Sequence, residues 1–131
     1  MTRTTETTDT VIDHYIRIFD RAAHDPAALE EYRPIFAPDA TVQLTDEQAP
    51  VTGFAAVLEL YRGIAASTAD SKHIWDSTVL DDGRIECRWV NVTRTADGRL
   101  VTFSGIEHVT VDADGLITNL RNRMAAPDSW R

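Results

Sequence analysis

The N-terminal half of the chain carries apolar residues at the three- and four-residue spacing of amphipathic helices. This spacing predicts a first helix over residues 9–23, with Asp9 as its N-cap. Asp25 and Pro26 predict the start of a shorter second helix, which Pro34 ends or kinks. The apolar positions of the first helix are Val11, Ile12, Tyr15, Ile16, Phe19, Ala22 and Ala23.

A short strand and a third helix complete this half. Alternation and β-branching predict the strand over residues 40–44, and a polar loop follows over 45–50. Gly53 then opens the third helix, which has an apolar stripe that must pack onto another element. The stripe consists of Phe54, Val57, Leu58, Tyr61, Ile64 and Ala65.

From residue 72 onward the apolar residues alternate with polar ones, as in half-buried strands. Asp-Gly pairs at 82–83, 97–98 and 114–115 favour tight hairpin turns. They predict a meander of four antiparallel strands near 72–80, 84–95, 99–111 and 116–125. We therefore expect an α+β domain in which the N-terminal helices pack on a strongly curved antiparallel β-sheet that encloses a pocket.

Length and charge restrict the function classes. The 131 residues suffice for one domain, predicted over 9–131 after a disordered lead-in over 1–8. The formal net charge of -8 disfavours nucleic-acid and membrane-surface partners. The polar N-terminus and the single cysteine, Cys87, indicate a cytoplasmic protein.

Glu107 is the polar exception on the apolar face of the third predicted long strand, which it shares with Val101, Phe103, Gly105 and Val109. A carboxyl group in that position is desolvated, so it either stays protonated or is compensated by a cation or by hydrogen-bond donors. Both states suit a general acid or base. The alternative is a structural ion pair with Arg88 or Arg123 on neighbouring strands.

Further inward-facing residues predict a lined cavity with a few polar groups. His73 is a candidate proton shuttle, or else a partly exposed histidine at a strand end. Asn122 either donates to a ligand oxygen or is a buried asparagine satisfied by the backbone. Four bulky residues could line the cavity, or could close it and leave an interaction domain: Trp75, Trp89, Phe103 and Met124.

Motifs for metal, phosphate or nucleophilic chemistry are absent from the sequence. There is no glycine-rich phosphate loop, no HExxH, no cysteine pair and no nucleophile elbow. The four histidines lack the spacing of metal ligands. We therefore expect no metal and no cofactor, and any catalysis should be acid–base chemistry in an apolar pocket.

Three segments together are typical of a known superfamily: residues 35–42, residues 53–57 leading to Tyr61, and residues 114–121. From residue 9 to 125 the chain resembles the SnoaL-like, nuclear transport factor 2-like superfamily. The resemblance implies a cone-shaped fold, with three helices closing one side of a bent antiparallel sheet, and a homodimer. Its members include polyketide cyclases, ketosteroid isomerases, dehydratases, epoxide hydrolases and non-catalytic binders.

The resemblance also implies roles for individual residues. Glu107 matches the strand position of the acid–base aspartates of isomerases and cyclases, and Tyr15 is similar to the isomerases' oxyanion-hole tyrosine or is simple core. Leu44 stands where isomerases carry their catalytic base, and Asp46 comes two residues later. Steroid isomerisation is therefore disfavoured, and His73 joins Glu107 in the proton transfers.

The resulting hypothesis is a cofactor-independent acid–base enzyme acting on a hydrophobic aromatic or polyketide-like carbonyl substrate as a cyclase, dehydratase or isomerase. The alternative is a non-catalytic small-molecule-binding or assembly module. The expected catalytic residues are Glu107, His73 and Tyr15. The expected substrate-binding residues are Trp75, Trp89, Phe103, Asn122, Met124, Phe19 and Tyr61.

Overall fold

Two α-helices, a 3₁₀ helix and six strands make up the part of the chain that the computed structural model describes, residues 9–125. The predicted lead-in over 1–8 lies outside these residues. In chain order the elements are α1 (Val11–Ala22), the 3₁₀ helix (Pro26–Tyr32), β1 (Phe36–Gln43), β2 (Val51–Thr52), α2 (Phe54–Ala66), β3 (Thr68–Val79), β4 (Ile85–Thr95), β5 (Leu100–Val111) and β6 (Ile117–Met124).

The six strands form one sheet in the order β2-β1-β6-β5-β4-β3. The antiparallel meander from β3 to β6 is confirmed, and Gly83, Gly98 and Gly115 take positive φ angles at its three turns. The sheet as a whole is mixed, because β1 runs parallel to β6. The sequence analysis did not predict this parallel pair, which the long connection through α2 and three strands permits.

The first helix is capped by Thr10 rather than by Asp9. The Asp13 backbone N–H donates to the Thr10 hydroxyl oxygen at 3.4 Å, and the Thr10 backbone N–H donates to the Asp13 carboxylate at 2.7 Å. This reciprocal capping box satisfies two backbone donors that the helix itself cannot pair. Asp9 instead forms an exposed ion pair with Arg17 at 2.8 Å.

Several element boundaries differ from the sequence prediction. β1 begins at Phe36, four residues before the predicted start at 40, because residues 35–37 are buried against the core and the Ile35 carbonyl accepts a hydrogen bond from Ile117 at 2.8 Å. β2 was not predicted, and β3 begins at Thr68 instead of 72.

A bulge also changes the face of one segment of β6. Thr110 pairs with Asn119 whereas Val111 pairs with Ile117, so the register shifts between them. Ile117 is fully buried as a result, although strict alternation had placed Leu116 and Thr118 on the inner face.

The helices cover one face of the sheet and bury an aromatic cluster against it. Tyr32 lies at the centre, with its ring centroid 5.3 Å from that of Tyr15, 5.4 Å from that of Phe36 and 5.1 Å from that of Tyr61. Among residues 9–125 no helix is both long enough and apolar enough to cross a bilayer. These α+β layers leave a cavity beside the aromatic cluster.

Candidate functional site

A cavity of about 270 Å³ lies between the helices and the inner face of the sheet. Residues of α1, α2 and β3–β6, together with the loop after β1, form its walls. Phe103 and Met124 are both 44% exposed. Both side chains line the cavity, which disfavours the interpretation of a self-filled interaction domain.

Most of the predicted site residues come together around this cavity. Its walls include the three candidate catalytic residues and five of the candidate binding residues. These are Tyr15, Phe19, His73, Trp89, Phe103, Glu107, Asn122 and Met124.

Trp75 and Tyr61 are not among the residues that line it. The Trp75 indole N–H donates to the buried carboxylate of Asp13 at 2.7 Å, which ties β3 to α1. Tyr61 is fully buried beside Tyr15, and their hydroxyl oxygens lie 2.8 Å apart. These two residues therefore lie outside the wall of this cavity, Trp75 in a hydrogen bond to α1 and Tyr61 in the aromatic cluster.

The carboxyl group of Glu107 is buried in the cavity wall, and its Oε1 atom has no hydrogen-bond partner within the described residues. Its side chain is 5% exposed, and its Oε1 accepts no hydrogen bond from any residue of 9–125. Arg88 and Arg123 lie on the outer face in one cross-strand row with Ile106. Glu107 lies on the opposite, inner face of the sheet, and this placement disfavours the alternative of a structural ion pair with those two arginines.

Burial therefore decides the protonation state of Glu107. Loss of solvation raises its pKa from the ordinary 4.5 to about 8. The group is consequently a neutral carboxylic acid near pH 7, which can donate a hydrogen bond or a proton to a ligand oxygen. This state is one of the two that the sequence analysis allowed.

Tyr15 lines the same cavity and carries a second neutral hydroxyl group. Burial raises its pKa well above the ordinary range, and the neighbouring Tyr61 and Glu107 add to the rise. The Tyr32 hydroxyl donates to the Tyr15 carbonyl oxygen at 3.1 Å, which holds this turn of α1 against the 3₁₀ helix. Tyr15 is thus both core, by its ring, and a candidate polar group, by its hydroxyl.

His73 is held firmly in the cavity wall. Its side chain is 9% exposed and it lies within β3, which disfavours the alternative of a partly exposed histidine at a strand end. The ring packs against those of Phe19 and Trp89, with centroid distances of 5.4 and 5.5 Å. Its Nδ1 lies 2.7 Å from an oxygen of Asp20.

Asp20 was missed by the sequence analysis, although the sequence contains one signal for it. It lies in the last turn of α1, where the helix dipole disfavours a negative charge. A residue that violates a local rule in this way is often retained for a tertiary or functional reason.

The side-chain amide of Asn122 is satisfied within the protein. Its oxygen accepts from the Trp89 indole N–H at 2.8 Å, and its NH₂ group donates to the Leu44 carbonyl oxygen at 3.0 Å. The structure therefore favours the alternative of a satisfied buried asparagine, which fixes the ring of Trp89 in the cavity wall.

Neither residue at the expected position of a catalytic base supplies one. Leu44 lines the cavity with an apolar side chain. Asp46 is exposed and pairs with Arg121 at 2.6 Å instead. Within residues 9–125 no three His, Cys, Asp or Glu side chains gather closely enough to hold a metal ion.

Comparison with known proteins identifies relatives of this fold. The family model of the SnoaL-like domain matches residues 12–120. Among curated proteins, no sequence matches the chain.

Three solved structures show the likeness. An NTF2-like protein of unknown function from Exiguobacterium sp. 255-15 has a TM-score of 0.79 and 26% identity, covering 88% of this chain and 98% of its own. The Δ5-3-ketosteroid isomerase from Mycobacterium sp. has a TM-score of 0.69 and 21% identity, and the match covers 87% of this chain and 92% of the isomerase chain. A Mycobacterium tuberculosis protein in complex with estradiol-17β-hemisuccinate has a TM-score of 0.70 and 15% identity, and the match covers 87% of this chain and 93% of that protein's chain.

Proposed function

The chain belongs to the SnoaL-like domain family, and from that premise we propose that it is a cofactor-independent acid–base enzyme acting on an apolar carbonyl compound. One observation carries the proposal: the carboxyl group of Glu107 is buried in the wall of an open, largely apolar cavity, and its Oε1 atom has no hydrogen-bond partner within the described residues. Such a group costs folding stability, and catalytic acids are commonly tuned in this way.

The chemistry that these groups support is enolisation. His73 removes a proton from the carbon next to the substrate carbonyl, and the electron pair of that C–H bond moves to form the enolate. Neutral Glu107 donates to the carbonyl oxygen as negative charge develops there, and the Tyr15 hydroxyl adds a second donor. An enolate formed in this way can proceed to isomerisation, elimination or aldol-type ring closure.

Cavity size supports a compact substrate. An engineered apolar cavity of about 150 Å³ is large enough to bind benzene, and the cavity here measures about 270 Å³. One or two fused rings fit inside, and a larger ligand must extend past Phe103 and Met124 at the exposed rim. The ketosteroid isomerase and the estradiol-hemisuccinate complex have larger ligands in their names, and a ligand of that size would have to extend past this rim.

Hydrogen–deuterium exchange of small ketones tests the proposal without a known substrate. We expect the wild type to accelerate exchange of the α-protons of 1-indanone or 2-tetralone in D₂O, followed by NMR. Glu107→Gln should reduce this rate by about 10²-fold or more, the usual contribution of a positioned acid or base. Ser104→Ala, on the outer face of the same strand, is the matched control and should keep the wild-type rate. Equal rates for wild type and Glu107→Gln would refute the role of Glu107.

Leu44 favours a second candidate, a non-catalytic module that binds small apolar molecules. It places an apolar side chain in the cavity wall where the isomerases' base is expected. This candidate predicts saturable binding of the same ketones, measured by quenching of the tryptophan fluorescence, with no accelerated exchange.

We also propose a homodimer formed through the outer face of the sheet. Ile74, Val90 and Val92 are exposed there on the adjacent strands β3 and β4, with Ile74 82% exposed. Contiguous apolar surface of this kind is usually covered by a partner.

A further inference from the structure

We propose that Asp20 is a positioning residue that fixes the proton of His73 on Nδ1, so that Nε2 acts as the base in the cavity. This role rests on the proposed enolisation chemistry. Asp20 itself does not line the cavity and acts through the imidazole ring.

Asp20 holds His73 at two points. One carboxylate oxygen lies 2.7 Å from the ring Nδ1, and the other accepts the backbone N–H of His73 at 2.9 Å. The contact joins the last turn of α1 to the middle of β3, and the carboxylate is thereby fixed relative to both ring and backbone.

The surrounding hydrogen bonds determine which way the protons point. The Ser71 hydroxyl donates to Asp20 Oδ1 at 2.6 Å. The two hydrogens of the Asn91 amide go to the Ser71 hydroxyl oxygen at 3.0 Å and to the Lys72 carbonyl oxygen at 3.3 Å. The Thr93 hydroxyl donates to the Asn91 side-chain oxygen. The donors of Thr93, Asn91 and Ser71 thus form a chain of hydrogen bonds that ends on Asp20.

A carboxylate can only accept hydrogen bonds, so the Nδ1 atom facing Asp20 must carry the ring proton. The opposite arrangement, in which Asn91 donates to an unprotonated Nδ1 across their 3.2 Å separation, would set the Nδ1 lone pair against the carboxylate. It would also remove the hydrogen bond that the Asn91 amide donates to the Lys72 carbonyl oxygen. Of the two neutral tautomers, the network therefore favours the one with an unprotonated Nε2.

The remaining ring nitrogen is available for chemistry. Nε2 forms no hydrogen bond with any residue of 9–125, and the ring stands in the cavity wall between Phe19 and Trp89. A carboxylate that holds the correct tautomer of a histidine base is a recurrent arrangement in unrelated enzymes.

NMR of the imidazole nitrogens tests the tautomer directly. In ¹⁵N-labelled wild type, with His73 assigned by comparison with His73→Gln, we expect Nδ1 protonated and Nε2 unprotonated. In Asp20→Asn the backbone N–H of His73 still requires an acceptor, so the amide oxygen takes that position and the NH₂ group faces Nδ1. The proton should then move to Nε2.

Glu86→Gln is the matched control, because Glu86 lies 3.0 Å from Nε2 of His108 on the outer face. Like Asp20→Asn, this substitution replaces a carboxylate beside a histidine ring by an amide. It should leave the His73 signals unaltered. An Nε2–H tautomer in the wild type would overturn the proposal, and this measurement stands even if Asp20→Asn does not fold. An unchanged tautomer in folded Asp20→Asn would overturn it as well.

Ketone exchange supplies the kinetic readout. Asp20→Asn should lower kcat by about 10²- to 10⁴-fold with little change in KM, as expected when a histidine base is held in the wrong tautomer. An altered tautomer with an unchanged kcat would overturn the positioning role. If the wild type exchanges no ketone, the proposed function fails, whereas the NMR result still decides whether Asp20 sets the tautomer of His73.

Discussion

Trp89 donates its indole N–H to the side-chain oxygen of Asn122 at 2.8 Å, across the gap that Gly105 leaves between β4 and β6. A Cβ atom at residue 105 would lie 2.6 Å from the Arg123 carbonyl oxygen and 2.9 Å from the ring of Trp89. Gly105 is therefore required for close approach, and it permits the hydrogen bond that fixes one wall of the cavity.

We accordingly expect Gly105→Ala to destabilise the domain by about 1–3 kcal/mol, the usual cost of overpacking. Gly63→Ala is the matched control, because Gly63 lies in α2 with nothing within 4 Å of the added Cβ. It should stabilise the domain by about 0.5–1 kcal/mol through the better helix propensity of alanine. Urea unfolding of both variants measures the two effects, and equal stabilities would contradict the close-approach argument.

The inward-facing residues of β4 and β5 were predictable because these strands pair without a bulge. Alternation alone identified Cys87, Trp89, Asn91 and Glu107, and all four are buried. In β6 the same rule placed Leu116 and Thr118 inside in place of Ile117, because a bulge is an irregularity that alternation cannot show.

Contacts between distant residues were not predictable in the same way. Asp20 and His73 are 53 residues apart, and their contact depends on how α1 crosses β3. Trp75 shares an alternating face with His73, yet its indole reaches Asp13 at the start of α1 and not the cavity. Such partners are set by the packing of layers, for which the local pattern carries no information.

Asp13 joins the cap of α1 to β3, and its removal should be costly. Its carboxylate accepts from the Thr10 backbone N–H at 2.7 Å, the Trp75 indole at 2.7 Å and the Ser77 hydroxyl at 2.9 Å. We expect Asp13→Ala to lower the free energy of unfolding by about 2–4 kcal/mol, since it leaves these donors unpaired. Asp9→Ala removes an exposed ion pair and should leave stability nearly unchanged. Similar losses for both would contradict the role of Asp13.

Asp13 should also contribute to acid unfolding. Burial alone would raise its pKa, but the hydrogen bonds from Thr10, Trp75 and Ser77 hold the pKa below the ordinary 3.8. A lowered native pKa contributes stability above the unfolded-state value, and this contribution is lost as the pH falls through the native pKa. Asp13→Asn should therefore flatten the decline of stability below about pH 4 in urea titrations.

Glu107 should give the opposite pH dependence. Its native pKa of about 8 exceeds the ordinary 4.5, so between these values the native state binds more protons than the unfolded state. Stability from this group is consequently present at low pH and is lost as the pH rises from about 4.5 to about 8.

The difference between wild type and Glu107→Gln isolates this contribution from other titrating groups. The free energy of unfolding of Glu107→Gln minus that of wild type should be larger at pH 9 than at pH 5, by a few kcal/mol. Denaturant unfolding at the two pH values measures the change. A difference that stays constant with pH would mean that Glu107 titrates normally, and would remove the neutral acid from the proposed chemistry.

Cys87 lies opposite Glu107 in the β4–β5 ladder and should be inert in the native state. It is fully buried, and burial raises the pKa of its thiol, with the nearby Glu107 adding to the rise. We expect an aromatic disulfide reagent to label the native protein about 10³-fold or more slowly than the unfolded protein, because labelling requires opening of the sheet. Rapid labelling of native protein would show that this part of the sheet opens readily.

The proposed homodimer predicts a charge-sensitive outer face. Ile74, at 82% exposure, lies directly opposite Val90 in the β3–β4 ladder, so a charge at residue 74 would enter the centre of the apolar patch. We expect the wild type to have the mass of a dimer by light scattering at micromolar concentration, and Ile74→Glu to have that of a monomer, because an unpaired buried charge is strongly unfavourable in an interface. Ala55→Glu is the control, since Ala55 is exposed on α2 on the helical side of the domain, and it should remain dimeric. A monomeric wild type, or a dimeric Ile74→Glu, would rule out this face as the interface.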